Sequence, residues 1–202
     1  MTAQDSAAET RVPPYGTFWR LLSQRWLAGP VLFILVYLAL EWASYIYEYN
    51  GLPITAWDPG LGLALAVMIL RGPRYGFALF AGIIIAETLI LKSAIDGPLV
   101  IVFAAIISAG YALVAAVLRK NFQLDPALTH LRDVLVLLAA AIIGSALITA
   151  LLTLILVAQG QLHLSDTLTP SLAFLIGDVI GIAVTTPLLL RLAQHWRAGT
   201  LR

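Results

Sequence analysis

Polar positions are sparse along this chain, and they fall in a regular rhythm. Apolar runs occupy residues 29–49, 59–70, 75–95, 98–118, 134–158 and 169–190, separated by short polar stretches. All but the second have the ~20 residues needed to cross roughly 30 Å of hydrocarbon as a helix. Inside the runs the few polar residues recur at helical spacing. Glu41, Ser44, Tyr45 and Glu48 form one stripe, Ser145, Thr149 and Thr153 another, and Ser171, Phe174, Asp178, Gly181 and Thr185 a third. Each set falls on a single helix face. The pattern predicts an all-α fold: a polytopic transmembrane bundle of about six helices.

Composition agrees, with 60% hydrophobic and only 11% charged residues against roughly 25% charged in a soluble domain. Orientation follows from the basic residues. Arg11, Arg20 and Arg25 precede span 1, Arg71 and Arg74 follow span 2, Arg119, Lys120 and Arg132 lie between spans 4 and 5, and Arg191, Arg197 and Arg202 end the chain. Only Lys92 falls on the other side, so eleven of twelve predict six spans with both termini cytoplasmic. Five spans with a re-entrant second run would break this pattern. The net charge of +1 gives no reason to expect a nucleic-acid partner. No cysteine is present, which excludes disulfides, Cys-ligated zinc and Cys nucleophiles.

Residues 1–27 are expected to form a cytoplasmic tail, 28–194 a single transmembrane domain and 195–202 a cytoplasmic connector. Residues 18–26 are amphipathic and fit either a surface helix or a lead-in to span 1. The first apolar run is too long for a signal-peptide core and is read as a retained span.

Span 2 is the anomaly. Its twelve residues make a helix of about 18 Å, too short to cross. Arg71 and Arg74 fix its cytoplasmic end, so its N-terminus is expected to be buried below the outer surface. Asp58 followed by Pro59 is a strong helix start, with Asp as N-cap and Pro in the first turn. A buried half-helix start is a device that transporters use to hold ligands. A few added residues from 51–58 would instead make an ordinary, slightly short span.

Three acids lie inside apolar runs: Glu41, Glu87 and Asp178. Carboxylates are costly in lipid and face a protein interior. Counted from the outer ends of their spans, all three sit about 12–14 Å deep, the layer expected for Asp58. Two readings follow. The acids, with Trp57 and Asp58, line one outward-facing ligand pocket, for a cation or for a polar molecule bonded by protonated carboxyls. Alternatively each bonds a neighbouring hydroxyl or carbonyl and only holds helices together. Gly177 and Gly181 would let a neighbouring helix approach closely.

Other chemistry fares worse. His130, His163 and His195 fall in loops or at ends, which leaves no buried base for a serine nucleophile and no pair for a haem or copper. No metal ligands are assigned; His163 and Asp166 read as a solvated loop pair. Tyr45, Tyr47, Tyr49 and Trp42 read as an interfacial belt. The chain carries no catalytic motif and is not expected to be an enzyme, and no cofactor can be named.

The runs TrpAspProGlyLeuGlyLeuAla at 57–64, LeuArgGlyProArgTyrGly at 70–76 and PheLeuIleGlyAspValIleGly at 174–181, with ThrPro at 186–187, resemble the MASE1 domain. The similarity extends from about residue 30 to 192. It marks Trp57, Pro59, Gly72, Gly177, Asp178, Gly181 and Pro187. It implies an integral-membrane sensory domain of the bacterial inner membrane. Its partners would be the bilayer, an unknown small ligand and a C-terminal output module, either a histidine kinase or a cyclic-di-GMP enzyme. Because such modules work as dimers, it also implies a homodimer. Two departures stand out: the acid at Asp58, and fewer spans than the family usually has. The resemblance thus implies a sensor that relays a signal through its last helix. The alternative is the small-molecule-binding component of a membrane transporter.

Overall fold

The computed structural model describes residues 25–44, 47–49, 52–54, 57–91 and 96–197. The expectations for the N-terminal tail and most of the 18–26 segment lie outside these residues. Among these residues six helices follow one another: α1 (Arg25–Ser44), α2 (Pro59–Arg71), α3 (Gly76–Ile85), α4 (Gly97–Lys120), α5 (Leu131–Ala158) and α6 (Leu168–Arg197). A 3-10 turn, Pro73–Tyr75, leads into α3, and α3 continues as a π-helical turn, Ala86–Leu91. Among the described residues four stretches are long and apolar enough to cross a membrane: Pro73–Leu91, Gly97–Lys120, Leu131–Ala158 and Leu168–Trp196. Two apolar helices, Ala28–Ser44 and Pro59–Arg71, are shorter.

The helices are apolar all round because their outer faces look at hydrocarbon, as in a membrane bundle. Leu32, Leu35, Phe77, Leu147, Leu154 and Leu188 are exposed on the outside. The inside is marked by small and polar residues: Ala64, Ala104, Ala141, Ser145 and Thr186 are buried.

The structure corrects the first span. The expectation carried span 1 to residue 49, but α1 stops at Ser44. Tyr47–Tyr49 instead pairs antiparallel with Leu52–Ile54, forming strands β1 and β2. The intervening Asn50-Gly51 is the strongest short hairpin signal in sequence terms, and Pro53 cannot sit in a helix interior. Glu48 therefore leaves the helical stripe and lies opposite Pro53. Tyr45 is outside the described residues.

At the centre of the bundle lies α2, thirteen residues long and so about 20 Å. Its residues from Pro59 to Ala66, with Met68 and Ile69, are buried. A buried helix must satisfy its terminal N–H and C=O groups, and α2 does so at both ends. Asp58 caps the start, accepting the Leu61 N–H at 2.8 Å, with Pro59 in the first turn. At the other end the Gly72 N–H donates to the Met68 carbonyl at 3.0 Å. Arg119 of α4 donates to the Met68 carbonyl (3.1 Å) and the Ile69 carbonyl (2.8 Å), placing a cation at the negative helix end. Gly72 turns the chain at φ +116°, a backbone region that L side chains rarely adopt.

The closest partner of α2 is α6. The Asp58 N–H donates to the Gly177 carbonyl at 3.1 Å. The Thr186 hydroxyl donates to the Gly62 carbonyl at 2.9 Å, with Thr186 fully buried beside Pro187. A Cβ on Gly181 would fall on the Asp58 carbonyl, and one on Gly62 would fall on the Gly181 carbonyl. The two helices therefore touch backbone to backbone.

Candidate functional site

Where α2 starts, the bundle encloses a cavity of about 90 Å³ to which all six helices contribute. Glu41 of α1, Asp58 at the head of α2, Glu87 of α3 and Asp178 of α6 all line it. These are four of the five residues that the sequence nominated. Tyr37, Thr149 and Phe174 add polar and aromatic surface, and Leu61, Ile83, Ile107, Ile148 and Leu152 close the apolar part. The fifth nominee, Trp57, does not line the cavity; it is 45% exposed beside Asp58.

Each carboxylate has a different local setting. Asp58 is held by its capping bond to Leu61. Asp178, 8% exposed, accepts a 2.6 Å hydrogen bond from the Tyr111 hydroxyl, which is 2.9 Å from the Ser145 hydroxyl. With Tyr111 donating to the carboxylate, Ser145 donates to Tyr111. This buried chain joins α4, α5 and α6. Glu41, 7% exposed, has its Oε1 buried with no hydrogen-bond partner. Glu87 lies in the π-helical turn, a distortion of the kind often found at functional sites. Among the described residues no basic side chain lines the cavity. A carboxylate in such a setting is balanced by a proton, by a cationic neighbour or by a bound cation.

The polar stripes expected on α5 and α6 do face inward. Ser145 and Thr149 are buried, and Thr153 and Ser171 bond across the α5–α6 seam at 2.8 Å. Sequence reasoning missed Tyr111 and Gly62. Tyr111 is 0% exposed at the middle of a long apolar helix. Its signal was a phenol far from either interface, where a hydroxyl needs a partner. His163 and Asp166 are exposed on the α5–α6 loop. Among the described residues no three of His, Asp and Glu are grouped to hold a metal ion.

The motif positions acquire physical roles in this setting. Pro59 and Gly72 bound α2, Gly177 and Gly181 receive its first residues, and Thr186, beside Pro187 in sequence, bonds the Gly62 carbonyl. The family model for MASE1 matches residues 26–201. Searches of curated proteins and of solved structures give no match. The chain belongs to the MASE1 family, the membrane-associated sensory domains of signalling proteins, and is a multi-pass membrane protein.

Proposed function

We propose that this domain detects a small ligand in the carboxylate cavity, from the outer side of the bacterial inner membrane, and relays its occupancy through α6 to a cytoplasmic output module. A histidine kinase or a cyclic-di-GMP enzyme would follow α6, working as a homodimer. The observation that carries this reading is the position of Asp178. One helix, α6, holds a cavity-lining carboxylate and continues to Arg197. It is also the helix that grips α2 most closely. A ligand switches such a domain only if it binds two packings of the helices unequally. A ligand between Asp58 and Asp178 acts on the α2–α6 contact, where backbone meets backbone and little free adjustment exists.

A buried helix start aimed at a cavity also suits the binding component of a transporter. The relay separates the two readings. In the signalling protein that carries this domain, Glu41→Gln, Glu87→Gln and Asp178→Asn should each shift the output activity at unchanged protein level and melting temperature. Unchanged output in all three would remove the sensing role from the cavity. Ligand accumulation that depends on a partner ATPase would favour transport.

A further inference from the structure

We infer that the ligand of the carboxylate cavity is a small organic monocation, an ammonium or guanidinium group of a few heavy atoms. The inference rests on the proposed sensing role of that cavity.

Charge comes first. Among the described residues, four carboxylates and no basic side chain line the space, a lining that repels anions and gives a cation its counter-charge. The second observation is independent of the clustering. Glu41 is 7% exposed, lines the cavity, and has a buried Oε1 with no hydrogen-bond partner. An acceptor buried in this way carries an unmet desolvation cost, which a bound N–H donor removes.

The arrangement of the acids then separates organic cations from metal ions. The carboxylates come from four elements: α1, the head of α2, the π-helical turn after α3, and α6. No three of them are grouped at metal-holding distance. A divalent ion needs several oxygens at about 2.0–2.6 Å from one point. An ammonium or guanidinium group carries three to five N–H donors that point apart, and so uses dispersed acceptors. The rings of Tyr37 and Phe174 line the same space, and aromatic faces attract organic cations.

Size sets the last limit. A cavity of about 150 Å³ takes benzene. The volume here is about 90 Å³, which by that scale admits roughly four non-hydrogen atoms. Guanidinium and ethylammonium fit, and tetrapropylammonium does not.

The test is calorimetric titration and thermal melting of the full chain in lipid nanodiscs, at neutral pH and constant ionic strength. The probes are guanidinium and ethylammonium chlorides at millimolar concentration, beside urea, ethanol, magnesium chloride and tetrapropylammonium. The expected result is saturable binding and a raised melting temperature with guanidinium or ethylammonium alone. Glu41→Gln, which keeps the shape and removes the charge, should weaken the apparent Kd about tenfold or more. Glu87→Gln is the second variant, in case Glu41→Gln fails to fold. Equal binding of urea, or preferential binding of magnesium, lost in Glu41→Gln, would overturn the cation class while leaving the cavity a ligand site. Binding of either small cation unchanged by both variants, or no binding of either, would also overturn the inference. In the last case the cavity's sensing role still stands or falls on the output of the three carboxylate variants, which requires no known ligand.

Discussion

Gly181 of α6 lies against the carbonyl of Asp58, so closely that a methyl group there would occupy the position of the oxygen. The residue that caps α2 and lines the cavity is thus pressed on the last helix through its own backbone. Gly181→Ala should destabilise the domain by about 1–3 kcal/mol, because a backbone carbonyl cannot rotate aside as a side chain does. Gly62→Ala, whose new methyl would meet the Gly181 carbonyl, should behave alike. Gly160→Ala meets no atom within 4 Å, although at φ +70° it carries backbone strain of its own. Thermal melting in nanodiscs reads these effects. A Gly181→Ala protein that melts like the parent would mean that α2 and α6 are held less tightly than described.

The Ser145–Tyr111–Asp178 chain gives a second expectation. Tyr111→Phe keeps the ring and removes the hydroxyl that donates to Asp178 at 2.6 Å. Losing a hydrogen bond to a buried carboxylate should cost about 1–3 kcal/mol. Ser145→Ala, which leaves the Tyr111–Asp178 bond in place, should cost less. In a double-mutant cycle the two effects should be strongly non-additive. Simple addition would show that the three groups act separately.

Why some of this was legible and some not has a physical reason. In lipid, polar groups are expensive, so Glu41, Glu87 and Asp178 advertise an interior position by their presence alone. The Asp58-Pro59 start and the Gly72-Pro73-Arg74 turn bounded α2 within one residue of its observed end. Apolar residues carry no such information, because inside and outside are both oily and the helix faces look alike. Tyr111 passed as one more hydrophobe, and Gly62 as one more small residue beside Gly60. The end of α1 was misplaced for a related reason. Tyr47 and Tyr49 extend the apolar run, and their weight masked the Asn50-Gly51 turn signal. Trp57 was nominated with its motif neighbours but stands outside the cavity, since a residue just before a helix cap need not share the cap's direction.

The α4–α5 loop provides a pH expectation. Asp125 accepts the Ala127 N–H at 2.9 Å and the Thr129 hydroxyl at 2.9 Å. These bonds, the Ala127 N–H first, hold its carboxyl below the ordinary aspartate value. A carboxylate favoured in the folded loop stabilises it fully above the unfolded value of about 4. That contribution is lost as pH falls through the lowered folded value. Hydrogen exchange over residues 121–130, corrected for intrinsic rates, should therefore show protection that is flat above pH about 5 and falls below about 4. Asp125→Asn should flatten the profile, since its amide does not titrate there. An unchanged profile would place the titration elsewhere.

At the opposite end of α6 from the cavity, Arg191 donates from Nη2 to the carbonyl of Leu128 at 3.0 Å. Leu128 is buried, at φ +49°, and its N–H donates to the Asp125 carbonyl. The last helix is thereby fixed at two points. Near the cavity it meets Asp58 and Tyr111, and about 20 Å further along it meets the α4–α5 loop. A shift made at Asp178 can pass down the helix only if the far contact yields or moves with it. Arg191→Ala frees that end without touching the cavity. The expectation is that ligand binding is unaltered, while the change in output caused by Asp178→Asn falls substantially. Arg191→Lys should restore part of it, because an ammonium reaches the carbonyl without the guanidinium's planar fork. The check is the signalling output of Asp178→Asn with and without Arg191→Ala, beside hydrogen exchange in residues 121–130. An Asp178→Asn effect of equal size in both backgrounds would mean that the relay leaves α6 before Arg191, through its contact with α2.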